Sequence, residues 1–469
     1  VAPHSEVLDR LPMKSIRFLP PRSGHLKETV YWSTWDGVFF QMYFALSSVG
    51  TAFITAYCLE LGMADHELTL LAAASQSVLL CQLFGARVSM QARSYSRRRL
   101  VMILAGLSRL SMAMLALLPF VLPRDFAFPA VLLVIVISGI CQAVAANIWT
   151  AWISDSVPKG IRGRFFARRS FMTNLAGVAI GFAGGLLLDW YDGKPGSLGA
   201  SLADLSGWRG DQVFSSRMHL FLLILSSATV FSVVSLIFLS RQPERASHPP
   251  PQEALEDPYS LAFRQGSFRR LLALGAVWSF AIGIGSQFWS PYMQRELQMT
   301  LVEQQIYGLI SLGGMLCSLP FWGKAIDRFG NRPAMCLGII LGFLNPMYWL
   351  FVSKESHGLL FVEALTSGIS WACINLCQMN FVLSLTGPRE RQAAAGIYAA
   401  LCGLFQMAGV LVSGWLMPER ETFLFGMSLD PYQVLFLITG CCRLAALLPL
   451  LAIAETGSRS LRDFLRQKN

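Results

Sequence analysis

The chain has 469 residues, 54% apolar and 14% charged, with a net charge of +10 and a mean hydropathy of +0.49. A soluble domain carries about 25% charged residues, so this chain cannot cover a water-facing surface, and lipid must solvate much of it. The positive charge falls in short segments between apolar runs, which speaks for membrane orientation rather than a nucleic-acid groove.

Residues 1–28 contain Pro3, Pro12, Pro20 and Pro21 and no apolar signal-peptide core; they read as a basic tail. Twelve runs then have the length of a membrane span, about 20 mostly apolar residues. They cover 31–59, 66–88, 100–122, 129–154, 169–190, 217–240, 269–293, 304–322, 334–353, 358–385, 393–417 and 431–454. Residues 191–216, rich in Gly, Ser and Asp, read as the longest outside loop. Residues 241–268 include the run His248-Pro249-Pro250-Pro251 and read as a semi-extended linker. The predicted organisation is therefore a tail (1–28), a six-helix half (29–240), a linker (241–268), a second half (269–454) and a tail (455–469).

Charge sets the orientation. One set of connections holds Arg93 and Arg97 to Arg99; Lys159, Arg162, Arg164, Arg168 and Arg169; the linker; Lys324, Arg328 and Arg332; and Arg389 and Arg391. The opposite set holds only Arg124, Lys194, Arg209, Arg217, Arg295, Lys354 and Arg420. This bias predicts a multi-pass protein of the cell (inner) membrane with both termini cytoplasmic. The ten cysteines lie in or at the ends of apolar segments and read as small apolar residues. No disulfide is expected. Cys373 and Cys377 share a helix face without a third ligand, so no metal site is expected either.

The halves repeat. Gly139-Ile140 corresponds to Gly368-Ile369, and Asp155-Ser156-Val157-Pro158-Lys159-Gly160-Ile161-Arg162 corresponds to Leu385 through Arg391 with a one-residue slip. Each is followed by a glycine-rich span, with Gly177, Gly181, Gly184 and Gly185 in one and Gly403, Gly409 and Gly414 in the other. A duplicated six-span unit predicts a site near the midplane between the halves.

The stretch Gly323-Lys324-Ala325-Ile326-Asp327-Arg328-Phe329-Gly330-Asn331-Arg332-Pro333 reads as a turn between spans eight and nine, with Asp327 placed to cap a helix or pair with an arginine. Its G-x-x-x-D-R-x-G-x-R-P pattern closely resembles the loop motif of the major facilitator superfamily of membrane transporters. Asp155 to Arg164 resembles that superfamily's acid-x-x-Pro-x-x-x-Arg-Gly pattern after span four. The resemblance implies a cytoplasmic gate of Asp155, Arg162, Gly323, Asp327, Arg328, Gly330 and Arg332, whose charge network holds the inside shut. A static helix-end cap is the alternative. The first half's copy, Gly85 to Arg93, departs from the pattern: Ser89 stands where an aspartate belongs.

The resemblance implies an all-α membrane protein, with twelve transmembrane helices in two pseudo-symmetric halves and spans one, four, seven and ten lining a cavity. Mapped here, the candidate substrate-binding residues are Gln41, Tyr43, Gln142, Asn147, Trp149, Gln287, Trp289, Trp371, Asn375 and Gln378. Amides and aromatics suit a neutral or amphipathic solute; helix–helix hydrogen bonding is the alternative for each. Asp36, in an Asp-Gly start that resembles one in a broad bacterial branch, and Glu363 are the candidate proton-coupling groups. The alternatives are pairing of Asp36 with Arg109 and an interfacial position for Glu363. Arg109 and Arg443 read as helix clamps or snorkelling cations. Span five partly resembles a glycine-rich antiporter motif, with Phe182 where that motif has proline.

No catalytic arrangement and no nucleotide-binding loop occurs, so no enzyme activity and no cofactor are expected. The reading is a monomeric secondary transporter with a small-molecule substrate, the lipid bilayer as surroundings and no nucleic-acid partner. The rivals are a non-transporting sensor or complex subunit on the same fold, and a lipid or lysolipid translocase.

Overall fold

In lipid every backbone N–H and C=O must be satisfied internally, and long apolar runs meet that demand as helices. The computed structural model of the protein describes residues 25–78, 81, 96–157, 159–194, 197–208, 210–244, 266–386, 391–424 and 426–453. Eleven of its helices are long and apolar enough to cross a membrane. The helix Asp65–Ser77 opens the other predicted run, whose residues 79–80 and 82–88 lie outside the described residues.

Span one is His25–Ser47 continued by Ala52–Glu60, span two begins with Asp65–Ser77, span three is Arg97–Ala113 and span four is Ala127–Ser156. Lys159–Asp192 and Arg217–Ser240 form spans five and six. Gly266–Ser286 continued by Trp289–Arg295 forms span seven, and Leu301–Phe329, Asn331–Tyr348, Leu359–Ser384, Arg391–Leu416 and Pro431–Ala445 form spans eight to twelve. Spans one and seven, equivalent in the repeat, each break near one end. Thr51 restarts span one by accepting the Ile54 N–H at 3.4 Å.

Three sequence expectations change. The Gly323–Pro333 stretch is helix, not a turn: span eight runs to Phe329 and span nine starts at Asn331. The break is Gly330 alone, at φ 95°, a conformation that glycine adopts without penalty. Lys159 to Arg169 is also helix, the opening turns of a 34-residue span five, since nothing after Lys159 interrupts helical geometry. The region 191–216 carries two short helices, Leu198–Ser206 and Gly210–Val213. A small antiparallel hairpin, Thr422–Leu424 with Met427–Leu429, adds to the all-α plan before span twelve.

Packing repeats with the sequence. In the first half span one packs on five and six, three on four and six, and two on four; in the second, seven packs on eleven and twelve, nine on ten and twelve, and eight on ten. The halves meet through spans two with eleven and five with eight, an interchange the duplication requires. Each half has its own buried core.

The bundle has two ends. At the proximal end, Glu244 accepts the Arg97 N–H at 2.7 Å, and Arg270 and Arg332 donate to the Ala452 and Leu451 carbonyls at 2.8 Å each. The distal end gathers the connections after spans one, five, seven and eleven.

Candidate functional site

Every hydrogen bond between described residues of opposite halves lies at the distal end. Arg295 Nη1 pairs with Asp65 Oδ1 at 2.5 Å, Arg295 Nη2 donates to the Met63 carbonyl at 3.0 Å, and the Tyr432 hydroxyl donates to Asp65 Oδ2 at 3.0 Å. Gln294 Nε2 reaches the Ala52 carbonyl at 3.1 Å, and Lys194 Nζ the Gln298 carbonyl at 3.1 Å. Asp189, 2% exposed in span five, accepts the Leu301 N–H at 3.0 Å and the Val302 N–H at 3.2 Å. It thereby places a carboxylate on the positive end of span eight, a stabilising position for an anion. Gly185 permits this approach, because a Cβ there would stand 3.2 Å from the Leu301 carbonyl carbon. A hollow of about 610 Å³ opens beside this seam, lined in part by Asp65, Arg295, Glu296, Asp430 and Tyr432.

Of the gate residues at the proximal end, Asp327 and Arg328 are exposed, and Arg328 rests on the Phe329 ring at 5.4 Å. Among the described residues Asp327 makes no ion pair. Gly323 has open space beside it, Gly330 breaks the helix and Arg332 is held to span twelve. Asp155 and Arg162 lie in helices, but their side chains fall outside the described residues, as does the whole Gly85–Arg93 stretch.

A cavity of about 250 Å³ opens inside the first half. Span one contributes Asp36, Gly37, Phe40 and Gln41, span three Arg109, span four Gln142, Trp149 and Thr150, and span five Arg169 and Thr173. Asp36, 5% exposed, accepts from Ser235 Oγ of span six at 2.6 Å. The charges of Arg109 and Arg169 act on it, yet neither stands at ion-pair distance. Pairing with Arg109 is therefore electrostatic across the cavity, not direct.

Arg109 donates Nη1 to the Ser232 carbonyl at 2.9 Å and lies 5.5 Å over the Phe40 ring, leaving its buried Nε without a partner. Arg169 donates Nε to the Ser33 carbonyl at 3.1 Å and stacks 4.5 Å over the Trp149 ring. Gly37 makes room for it: a Cβ would stand 2.5 Å from Arg169 Nη2. Gln142 Oε1 and Trp149 Nε1 are buried here with no hydrogen-bond partner. Gln41, half-buried, packs against Gly177, whose added Cβ would stand 3.0 Å from its Cγ.

The other candidates scatter. Tyr43 is buried in the distal core of the first half, and Asn147 is half-buried outside the cavity lining. Gln287 Nε2 donates to Ser413 Oγ of span eleven at 2.5 Å. Trp289 stacks on Phe436 at 4.0 Å and meets Trp349 at a tilt with ring centres 4.6 Å apart, inside an aromatic core. Trp371 meets Trp278 edge-on at 6.2 Å. Trp371, Asn375 and Gln378 share one face of span ten, opposite Cys373 and Cys377, which pack against span nine. Asn375 is exposed and Gln378 half-buried.

Glu363 is not interfacial. It is 2% exposed and accepts the Tyr307 hydroxyl at 2.6 Å. Arg443 acts electrostatically on it, donates Nη1 to the Gly342 carbonyl at 2.9 Å and lies 5.8 Å from the Trp278 ring centre. The snorkelling expectation fails for both arginines, because each is 5% exposed and turned into its half. Sequence reasoning missed Arg169 by assigning it to a loop. The available signal was the unbroken, proline-free run from Lys159 into span five.

Two related six-helix halves around buried charges and an interior polar cavity define a polytopic α-helical membrane protein of transporter type. The chain belongs to the Major Facilitator Superfamily, whose model matches residues 37–319 and 283–464. Its fold is shared with a crystal structure of the nucleoside transporter NupG (TM-score 0.64, 13% identity, covering 92% of this chain and 99% of that one). It is also similar to the inward-open xylose transporter XylE from E. coli (TM-score 0.59, 16% identity, covering 94% and 99%). A third is a bacterial homolog of the human lysosomal transporter Spinster, inward-facing and unoccupied (TM-score 0.58, 16% identity, covering 92% and 95%). No curated protein matches the chain by sequence.

Proposed function

We propose that the protein is a secondary transporter moving a small, amphipathic organic solute across the cell membrane by alternating access, with its termini in the cytoplasm. The carrying observation is the closed distal seam, tied by Asp65, Arg295, Tyr432 and Asp189; at the proximal end Asp327 makes no ion pair among the described residues. An alternating carrier must break such a seam to open the other side. In this reading the structure is the inward-facing state and the first-half cavity is its solute pocket. Trp371, Asn375 and Gln378 form the facing wall.

Proton coupling belongs to the same reading. Asp36 and Glu363 are buried carboxyls, each with a hydroxyl donor and an arginine close enough to act on it, the setting in which a membrane acid changes charge with conformation. The test is uptake by proteoliposomes across a solute panel, with and without an inward acid gradient. Uptake that follows the gradient and loses that dependence in Asp36→Asn or Glu363→Gln supports coupled transport. Uptake indifferent to both refutes coupling, and no uptake of any solute by protein that binds one refutes transport.

A further inference from the structure

The first-half cavity carries a charge mismatch that selects its cargo. Two guanidinium groups, Arg109 and Arg169, face one carboxylate, Asp36, among the residues that line it. Its other polar lining groups are amides, hydroxyls and an indole, none of which supplies a negative charge. An uncompensated charge in a low-dielectric interior is costly, and a bound counter-charge removes that cost.

Nor are the cations fully used as structural clamps. Arg109 keeps one nitrogen unpartnered although buried. Arg169 is held from two sides, by the Ser33 carbonyl at Nε and by the Trp149 ring on its face. That arrangement fixes the plane of the guanidinium, and among the described residues its Nη atoms donate no hydrogen bond, so they can meet a fork-shaped acceptor, the geometry of a carboxylate. Gly37 lets the guanidinium lie close against span one, since a Cβ there would stand 2.5 Å from Nη2, 2.7 Å from Cζ and 2.8 Å from Nε.

Two further groups sharpen the class. Gln142 and Trp149 stand two helical turns apart on span four, and the cavity holds the unpartnered Gln142 Oε1 and Trp149 Nε1. One is an acceptor and the other a donor, so a hydroxyl satisfies either. At about 250 Å³ the cavity is smaller than the range that holds drug-sized ligands, about 300–1,000 Å³.

We propose that this cavity binds a small organic monoanion, a hydroxycarboxylate, with its carboxylate between Arg109 and Arg169 and its hydroxyl toward Gln142 and Trp149. A dianion would leave the site negative, and a neutral solute would leave it positive. The neutral or amphipathic cargo expected from sequence was read from the amides and aromatics, with Arg169 counted as a loop cation. The proposal rests on the transporter reading only for the purpose of the site; binding is testable without transport.

The experiment is titration of the purified full chain in nanodiscs with glycolate, lactate, glycerate and mandelate, each against its primary amide, read by thermal midpoint and calorimetry. At least one acid binds while its amide does not. Arg169→Gln weakens that acid by about tenfold or more, the loss expected for a hydrogen-bonded charge, and leaves the ligand-free midpoint near wild type. Arg169→Lys, which keeps charge but loses the fork, recovers part of the affinity. Equal binding of acid and amide, binding of none of the four acids, or unchanged affinity in Arg169→Gln overturns the proposal. Uptake by proteoliposomes separates the two readings. An acid that binds but is not carried contradicts transport and leaves the site standing. A neutral solute carried equally by wild type and Arg169→Gln contradicts the site and leaves transport standing.

Discussion

The two halves bury arginine in mirrored ways and then diverge. Arg109 of span three donates to a span-six carbonyl and lies over an aromatic ring of span one; Arg443 of span twelve donates to a span-nine carbonyl and lies over an aromatic ring of span seven. The equivalent helix pairs, three with six and nine with twelve, are bridged from opposite sides. Each arginine leaves Nε unpartnered and acts on a buried acid, Asp36 or Glu363. Around Arg109 the half stays hollow and gains a second cation, Arg169. Beyond Arg443 the half fills with Trp289, Trp349, Tyr292 and Phe436, packed ring on ring. One duplicated frame thus supports a polar site on one side and a rigid aromatic block on the other.

The largest expected effect lies in that block. Trp349→Ala removes a ring 1% exposed and should cost about 3–5 kcal/mol of stability, seen as a large fall in the thermal midpoint. Trp149→Ala, at the wall of the cavity, should leave the midpoint much nearer wild type; equal losses would erase the contrast between a packed half and a hollow one.

Next comes the pair of arginines. Arg443→Met strands Glu363 without its cation and should cost about 3 kcal/mol, part of which Glu363→Gln restores when added. Arg109→Met should cost less, because Arg169 still faces Asp36. A double-mutant cycle on each pair measures the difference, and identical couplings would mean that the halves are electrostatically equivalent after all.

The distal seam gives a smaller effect. Asp65 and Arg295 are each about a third exposed, so Asp65→Asn should shift the balance toward distal opening by about 1 kcal/mol or less, read as faster modification of a cysteine introduced at Met299, buried beside the seam. Acid should act the other way. Burial raises the carboxyl pKa of Asp430, beside the seam; burial and then the nearby Asp430 raise that of Glu296. A raised acid means that the closed form takes up protons more readily than the open one. Closure should therefore strengthen as pH falls through those raised values, above the ordinary carboxylate range near 4, and weaken as pH rises. Modification at Met299 that is faster in acid than in alkali would contradict this.

The fold was legible because span length and charge bias are one-dimensional signals. The runs at 217–240 and 431–454 lie close to the helices found there, and the repeat at Gly139 and Gly368 points to the helix packing that recurs in both halves. Helix ends read less well. The motif around Asp327 looks like a turn by composition, yet glycine and charge are tolerated in the last turns of a helix, and only the backbone at Gly330 departs. Part of the site was legible: Asp36, Gln41, Gln142 and Trp149 converge on one cavity. Arg169 was not, because its burial depends on Gly37 lying 132 positions earlier, a pairing that only the folded chain creates. Trp289 misled for a related reason: an aromatic on a cavity-lining span can turn into its own half, and Phe436 holds it there.

The most direct test of alternating access is a pair of spin-label distances in the same protein, one across the distal seam at Lys194 and Gln298, the other across the proximal end at Arg99 and Arg328. Two populations are predicted, short-distal with long-proximal and long-distal with short-proximal, exchanging weight when pH changes or a hydroxycarboxylate binds. A single distance at each end, unmoved by either, would contradict the account.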